Sequence, residues 1–420
     1  MAPPAFFADF LNVPAQPQSG RWLFRYAVLT PLCTLVLVCL GGLVTSKGVG
    51  MAVPDWPTSY GYNMFALPIA TWFTDGIFHE HTHRLVATWV GILVVGLTRW
   101  LGGRPACRPL LIIGLAELVA GFLLLRVGPD WKGAGYFLSG IGGVVLLAGL
   151  VPIRNAPLAR PLPTLGWLAF TAVQVQGLLG GLRVVLDRQI VADTTLGTVF
   201  GLVHACLGQG FFVLLCAIAL LLSSFWQRLG KGMNGIRSNA LNWLLPATTG
   251  IIFLQLVLGA LMRHQHAGLA IHDFPLAYGT VWPATDPESL LRYNHQRTDE
   301  TSVTVFQIFL QMFHRIGAVT IVILVVSSFV SVRKNAVGTP LMWGGNLWLG
   351  LIIAQFFLGA ATIWTDKAAD IATAHVAIGA LSLATGALLT LAARRIALPI
   401  RQGQLGGSEP AAVFAKPFVR

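Results

Sequence analysis

The residues able to do chemistry are few, and they recur in matched positions. Glu80, His83 and Arg84 stand in one short run, and Gln311, His314 and Arg315 repeat its spacing. Each run follows an Ile-Phe pair, Ile77-Phe78 and Ile308-Phe309. Later apolar stretches carry one histidine each, His204 and His375. An imidazole at lipid depth needs a partner. Two imidazoles facing each other across a helical bundle, with a free axis between them, are the arrangement a low-spin haem iron requires. The expected pairs are His83 with His204 and His314 with His375. Neutral imidazole nitrogen suits iron, and no quartet of sulfur or carboxylate ligands competes for another metal.

The neighbouring residues sharpen this expectation. Arg84 and Arg315 are placed to pair bidentately with a haem propionate; snorkelling toward lipid head groups is the alternative. Glu80 lies three residues before His83, on the same helical face, and Gln311 holds the equivalent place before His314. A carboxylate can accept a proton or stabilise developing positive charge, whereas an amide cannot act as a base. One half therefore reads as catalytic and the other as an electron carrier, the alternative being that Glu80 caps its helix. His79 and His81 have no match in the second copy and are expected to be loop or surface histidines. His264, His266 and His272 form only a weak zinc pattern.

Composition dictates what must position these groups. The 420 residues are 55% hydrophobic and 10% charged, with a mean hydropathy of +0.71, whereas a soluble globule carries about 25% charged residues. The chain reads as an all-α polytopic membrane protein. Ten apolar runs are long enough to cross a bilayer, near 26 to 46, 78 to 100, 109 to 127, 135 to 152, 164 to 184, 197 to 224, 241 to 262, 303 to 331, 345 to 365 and 371 to 393. The five cysteines form no Cys-x-x-Cys pair, so neither a disulfide framework nor a zinc site is suggested.

Charge then sets orientation. Arg21, Arg25, Arg104, Arg108, Arg160, Arg228, Arg333, Lys334, Arg394 and Arg395 fall in one set of connections, and Asp55, Asp187, Asp273, Asp286, Glu288, Asp366 and Asp370 in the other. By the positive-inside rule both termini are expected in the cytoplasm of a bacterial-type plasma membrane, with the histidine sites near the outer face. The net charge of +12 is a topology signal that also favours anionic membrane lipid, and a nucleic-acid partner is not indicated.

Internal repetition gives the architecture. Leu40-Gly41-Gly42-Leu43 through Gly50, Ala52, Asp55, Pro57, Tyr60 and Gly61 aligns without a gap to Leu258-Gly259-Ala260-Leu261 through Gly268, Ala270, Asp273, Pro275, Tyr278 and Gly279. Gln176, Gly180 and Asp187 return as Gln355, Gly359 and Asp366. The expected plan is two pseudo-symmetric four-helix bundle repeats: a cytoplasmic tail 1–25, a first repeat 26–224 holding an inserted hairpin 109–152, a linker 225–240, a second repeat 241–393 and a cytoplasmic tail 394–420. Each repeat has an even number of spans, which implies a pseudo-twofold axis normal to the membrane. The hairpin has no copy in the second half and carries an intramembrane acid, Glu117, which is either functional or an internally hydrogen-bonded carboxyl.

These motifs together, with Gly41-Gly42-Leu43-Val44-Thr45, Asp55-Trp56-Pro57, Gly180-Gly181-Leu182-Arg183-Val184 and Arg263 with Ala267-Gly268-Leu269-Ala270, resemble the haem A synthase family of cytochrome oxidase assembly proteins. The similarity covers roughly residues 24 to 395 without the hairpin. It implies an oxidoreductase that converts the C8 methyl of haem O to the formyl group of haem A by successive hydroxylations, through a geminal diol that loses water. It further implies haem b held by His314 and His375 with Arg315, haem O held by His83 and His204 with Arg84, and Glu80 as the catalytic residue. An external electron acceptor is implied but not named. Haem O synthase is a partner by pathway logic alone, and homo-oligomerisation is left open. Many members carry a cysteine pair in the first outer loop; here Lys47 to Asp75 has none. A dihaem b-type electron-transfer protein and a haem carrier are the rival readings.

Overall fold

The computed structural model describes residues 20–74, 76–153, 155–191, 194–229, 239–297 and 302–397. The tails 1–19 and 398–420, most of the 225–240 linker and Asp75 lie outside these described residues. Ten helices are long and apolar enough to cross a membrane: α1 (Arg21–Ser46), α2 (Ile77–Gly102), α3 (Cys107–Val127), α4 (Lys132–Leu150), α5 (Leu162–Val185), α6 (Leu196–Leu222), α7 (Asn239–His264), α8 (Val305–Asn335), α9 (Leu341–Trp364) and α10 (Ala369–Ala397). The chain is an integral membrane protein. Short helices Ser224–Leu229 and Pro287–His295 and a two-residue ribbon pairing Ile190–Val191 with Thr194–Thr195 complete the main described elements.

Several helices outrun the apolar windows at their basic ends. α1 begins at Arg21 rather than near 26, and α10 continues through Arg394 and Arg395 to Ala397. Apolar length marks the hydrocarbon crossing, while backbone hydrogen bonding carries a helix on into the head-group region. Helix starts at the outer ends are capped by the chain itself. Thr195 accepts from the Thr198 amide before α6, and Thr304 and Gln307 form a reciprocal capping box before α8.

Helices α1, α2, α5 and α6 pack in a ring, and α7, α8, α9 and α10 pack in another. The rings meet through α1 and α6 on one side and α7 and α10 on the other. One continuous apolar cluster runs through both, from Leu97 and Leu101 through Leu215, Ile218 and Leu245 to Val325 and Trp348.

The α3–α4 hairpin is joined by a glycine seam. A Cβ at Gly142 would lie 2.6 Å from the Leu118 amide, and one at Gly149 would lie 2.9 Å from the Leu111 amide. Small residues permit this backbone approach, which supplies van der Waals contact where lipid removes the hydrophobic drive. The hairpin docks on the first ring through Arg99, which donates to the carbonyls of Ala148 and Val151 as well as Gly103. Glu117 accepts from Gln174 Nε2 on α5 at 2.7 Å.

Candidate functional site

Two loops of closely similar construction, between α1 and α2 and between α7 and α8, sit over the histidine helices. In the first, Asp55 accepts from the amides of Tyr60 (2.7 Å) and Gly61 (2.9 Å), and the Tyr60 hydroxyl donates to the Ala52 carbonyl. In the second, Asp273 accepts from Tyr278 (2.7 Å) and Gly279 (2.8 Å), and the Tyr278 hydroxyl donates to the Ala270 carbonyl at 2.5 Å. Tyr60 and Tyr278 both adopt a left-handed backbone, with φ 54 and 52. The paired amide contacts to aspartate hold that conformation, and glycine follows at φ 77 and 76.

Arg84 and Arg315 tie these loops to α2 and α8. Arg84 Nη1 donates to the Asp55 and Thr58 carbonyls, and Nη2 to the Val53 carbonyl (2.8 Å) and Glu80 Oε1 (2.6 Å). Arg315 donates to the carbonyls of Asp273 (2.7 Å) and Leu276 (2.8 Å). Both terminal nitrogens of Arg84 are thus engaged by protein groups.

Glu80 and Gln311 do the same structural task with different chemistry. Glu80, 4% exposed, accepts from the Val53 amide at 2.8 Å; Gln311, 3% exposed, accepts from the Ile271 amide at 2.6 Å. The amide group of Gln311 also donates to the carbonyls of Gly268 and Ile271. Glu80 instead pairs with Arg84, which is the only ion pair among the described residues. No side chain makes a capping hydrogen bond at the start of α2, and Glu80 lies in its first turn, where the helix dipole favours an acid.

The four histidines are seated against glycines. A Cβ at Gly41 would lie 3.0 Å from His83 Cε1, at Gly180 3.4 Å from His204 Cε1, at Gly259 3.2 Å from His314 Cε1 and at Gly359 3.1 Å from His375 Cε1. His83 and His204 lie within electrostatic range of each other, as do His314 and His375. His204 Nδ1 meets the Gln176 carbonyl at 3.1 Å, and Gln355 Nε2 approaches His375 Nε2 at 3.3 Å. Nδ1 of His83, His314 and His375 is buried without a hydrogen-bond partner. Facing pairs of buried, neutral imidazoles seated on glycines have the donor set that bis-imidazole ligation of a haem iron needs. The sequence already contained these glycines in its repeated motifs; their spacing was the signal, and their contact with the rings is what the fold adds.

One expectation is corrected. His81 is 1% exposed, with Nδ1 3.1 Å from Ser59 Oγ and its ring edge-on to Trp72. It is a buried support of the first loop, because α2 turns that face inward. His79 does stay exposed, 2.9 Å from Lys47 Nζ. Around His264, His266 and His272, no group of three His, Cys, Asp or Glu residues converges among the described residues. His264 instead faces Gly201 on α6.

A ten-span membrane protein with two helical rings, each holding a glycine-cradled histidine pair, is the class that fold and site define. The pattern of the cytochrome oxidase assembly protein family matches residues 136–387, and the chain belongs to that family. It is 23% identical over 402 residues to haem A synthase of Geobacillus kaustophilus, covering 95% of this chain and 99% of that protein. Against haem A synthase of Caulobacter sp. (strain K31) it is 27% identical over 401 residues, 92% of this chain and 99% of the relative. With the Anaplasma marginale (strain St. Maries) haem A synthase it shares 27% over 221 residues, 53% of this chain and 60% of that protein.

Proposed function

We propose that this protein is a haem A synthase, an oxidoreductase that converts the C8 methyl of haem O to the formyl group of haem A by successive hydroxylations. The observation that carries the reading is the Glu80/Gln311 contrast. Gln311 anchors its loop without charge, so anchoring alone does not explain the carboxylate of Glu80 beside Arg84. The family relatives named haem A synthase support the same reading along nearly the whole chain.

In this reading His314 and His375 hold haem b, and His83 and His204 hold haem O. When bound, haem b supplies one-electron acceptance between the substrate and an acceptor outside the chain. Glu80 is the catalytic residue, receiving or holding a proton at a carboxylate oxygen once the Val53 or Arg84 contact yields. Arg84 keeps that carboxylate on the loop side of α2. The glycine cradles fix the imidazole planes. The protein lies in a bacterial-type plasma membrane with both termini cytoplasmic and the histidine sites toward the outer face, as the distribution of Arg and Lys supports.

The test is extraction and chromatography of the haems bound to protein made in a host that also makes haem O. Wild type should hold haem b with haem O, haem A or an alcohol-level intermediate. Glu80→Gln should keep its haems and lose about 10²- to 10⁴-fold in haem A formation, the range for removing a general acid or base. Undiminished haem A in that variant would remove Glu80 from the chemistry. Wild type with two equivalents of haem b alone would favour the dihaem electron-transfer reading.

A further inference from the structure

Three cationic side chains gather where the two rings meet, and none of them forms an ion pair among the described residues. Arg183, near the C-terminal end of α5, lays its guanidinium against Gly50, where an added Cβ would lie 3.0 Å from Cζ. Its chain and His264 of α7 touch the same spot on α6, each 3.2 Å from a Cβ placed at Gly201. Arg263, at the end of α7, crosses to α1 and donates from Nη2 to the Gly42 carbonyl at 2.8 Å and to Ser46 Oγ. Lys367, on the turn between α9 and α10, lies within electrostatic range of Arg263, which is within range of Arg183.

The acids nearby are already committed. Glu80 serves Arg84 and Val53, and Asp187 accepts from Thr195; both lie within electrostatic range of Arg183 without reaching ion-pair distance. Arg183 and the Lys367 ammonium have no hydrogen-bond partner among the described residues, and Arg263 uses only one of its nitrogens. Half-buried cations without anions are costly unless a ligand neutralises them. Their placement says which ligand. Arg183 follows Gly180, the seat of His204, by three residues and Arg263 follows Gly259, the seat of His314, by four, so each cation lies one helical turn from a histidine cradle.

We propose that Arg183, Arg263 and Lys367 form one anion site on the seam between the rings, which takes the propionate carboxylates of the porphyrins seated on the two histidine pairs. This rests on the reading of those pairs as haem sites. It gives the carboxylates a partner that Arg84, tied to loop carbonyls and Glu80, leaves open. It also turns the carboxylate edges of the two ligands toward each other.

The full chain, made haem-free and placed in nanodiscs of zwitterionic lipid, is titrated with iron protoporphyrin IX and with its dimethyl ester, following bis-imidazole absorption. Charge-assisted hydrogen bonds of this kind predict that wild type prefers the diacid by about tenfold or more. In Arg183→Met/Arg263→Met that preference should fall toward unity while the bis-imidazole spectrum is unchanged, and Arg263→Lys should retain most of it. Equal affinity of wild type for diacid and diester overturns the proposal whether or not any variant folds. So does a preference that survives in the double variant. Repeating the titration in phosphatidylglycerol nanodiscs separates the sources: a preference abolished there, with anionic lipid co-purifying with wild type and not with the double variant, makes this a lipid phosphate site and overturns the carboxylate assignment. If no bis-imidazole spectrum forms, the haem reading itself falls and this proposal with it. A spectrum without diacid preference fells this proposal alone.

Discussion

The α1–α2 and α7–α8 loops are built from the same parts, and one charge separates them. In each, an aspartate holds a tyrosine-glycine turn, an arginine ties the loop to its helix, and a side chain one helical turn earlier anchors a loop amide. In the first loop the anchor is ionic and paired with Arg84. In the second it is an amide that satisfies two carbonyls as well. The comparison teaches that a shared contact can hide a difference in chemistry: the loop needs an acceptor in both places, and only one place keeps a group able to take a proton. The hairpin adds a second difference, because Phe137 of α4 packs tilted against Trp56 at 4.6 Å, while Phe274, the counterpart of Trp56, lies against Phe356, Trp364 and the Arg315 guanidinium.

The largest effect that would break the comparison is loss of an iron ligand in one half only. His314→Ala is expected to abolish retention of haem b, whereas His83→Ala should leave haem b in place and remove haem O, as read by extraction of the purified variants. Retention of haem b in His314→Ala would reverse the assignment of the halves. Next is the exchange of anchors. Gln311→Glu should add no oxidation and should lower thermal stability by about 1–3 kcal/mol, because the new carboxylate faces the Gly268 and Ile271 carbonyls that the amide had satisfied.

Crowding the rings should act alike in both halves. Gly41→Ala and Gly259→Ala push a methyl against His83 and His314 and should each cost about 1–3 kcal/mol, with a changed electron paramagnetic resonance signal for the ligated iron. Gly91→Ala, where the added methyl meets nothing within 4 Å, is the control and should leave the signal unchanged. A changed signal there would show that the cradle is not the cause.

The smallest effect is acid sensitivity of the first loop. Burial alone would raise the Asp55 carboxyl, but hydrogen bonds from Thr58, Gly61 and Tyr60 outweigh it and hold its pKa below the usual value. A depressed carboxylate contributes stability in full above its unfolded pKa of about 3.9, and that stability is lost as pH falls through the folded value. Asp55→Asn should therefore flatten the acid limb of thermal stability below about pH 4, by less than about 1 kcal/mol after solvent screening. An acid limb of unchanged slope would mean the turn does not depend on that charge.

The sequence by itself determined the ten crossings, the four histidines and the Glu80/Gln311 contrast. Each is a matter of composition, or of residues fixed along one helix, where apolar length and a three-residue spacing have one geometric meaning. It did not reveal that Glu80 reaches Val53, that His81 is buried under the first loop, or that Arg84 is spent on carbonyls, since loop closure sets those contacts. Least legible was the cationic seam. Arg263 meets Gly42 across 221 residues, and Arg183 meets His264 only because α5 and α7 both reach the same face of α6. Charge placed at a helix end is visible in a sequence, but which charges face one another depends on how the two rings pack, and only the tertiary structure decides that.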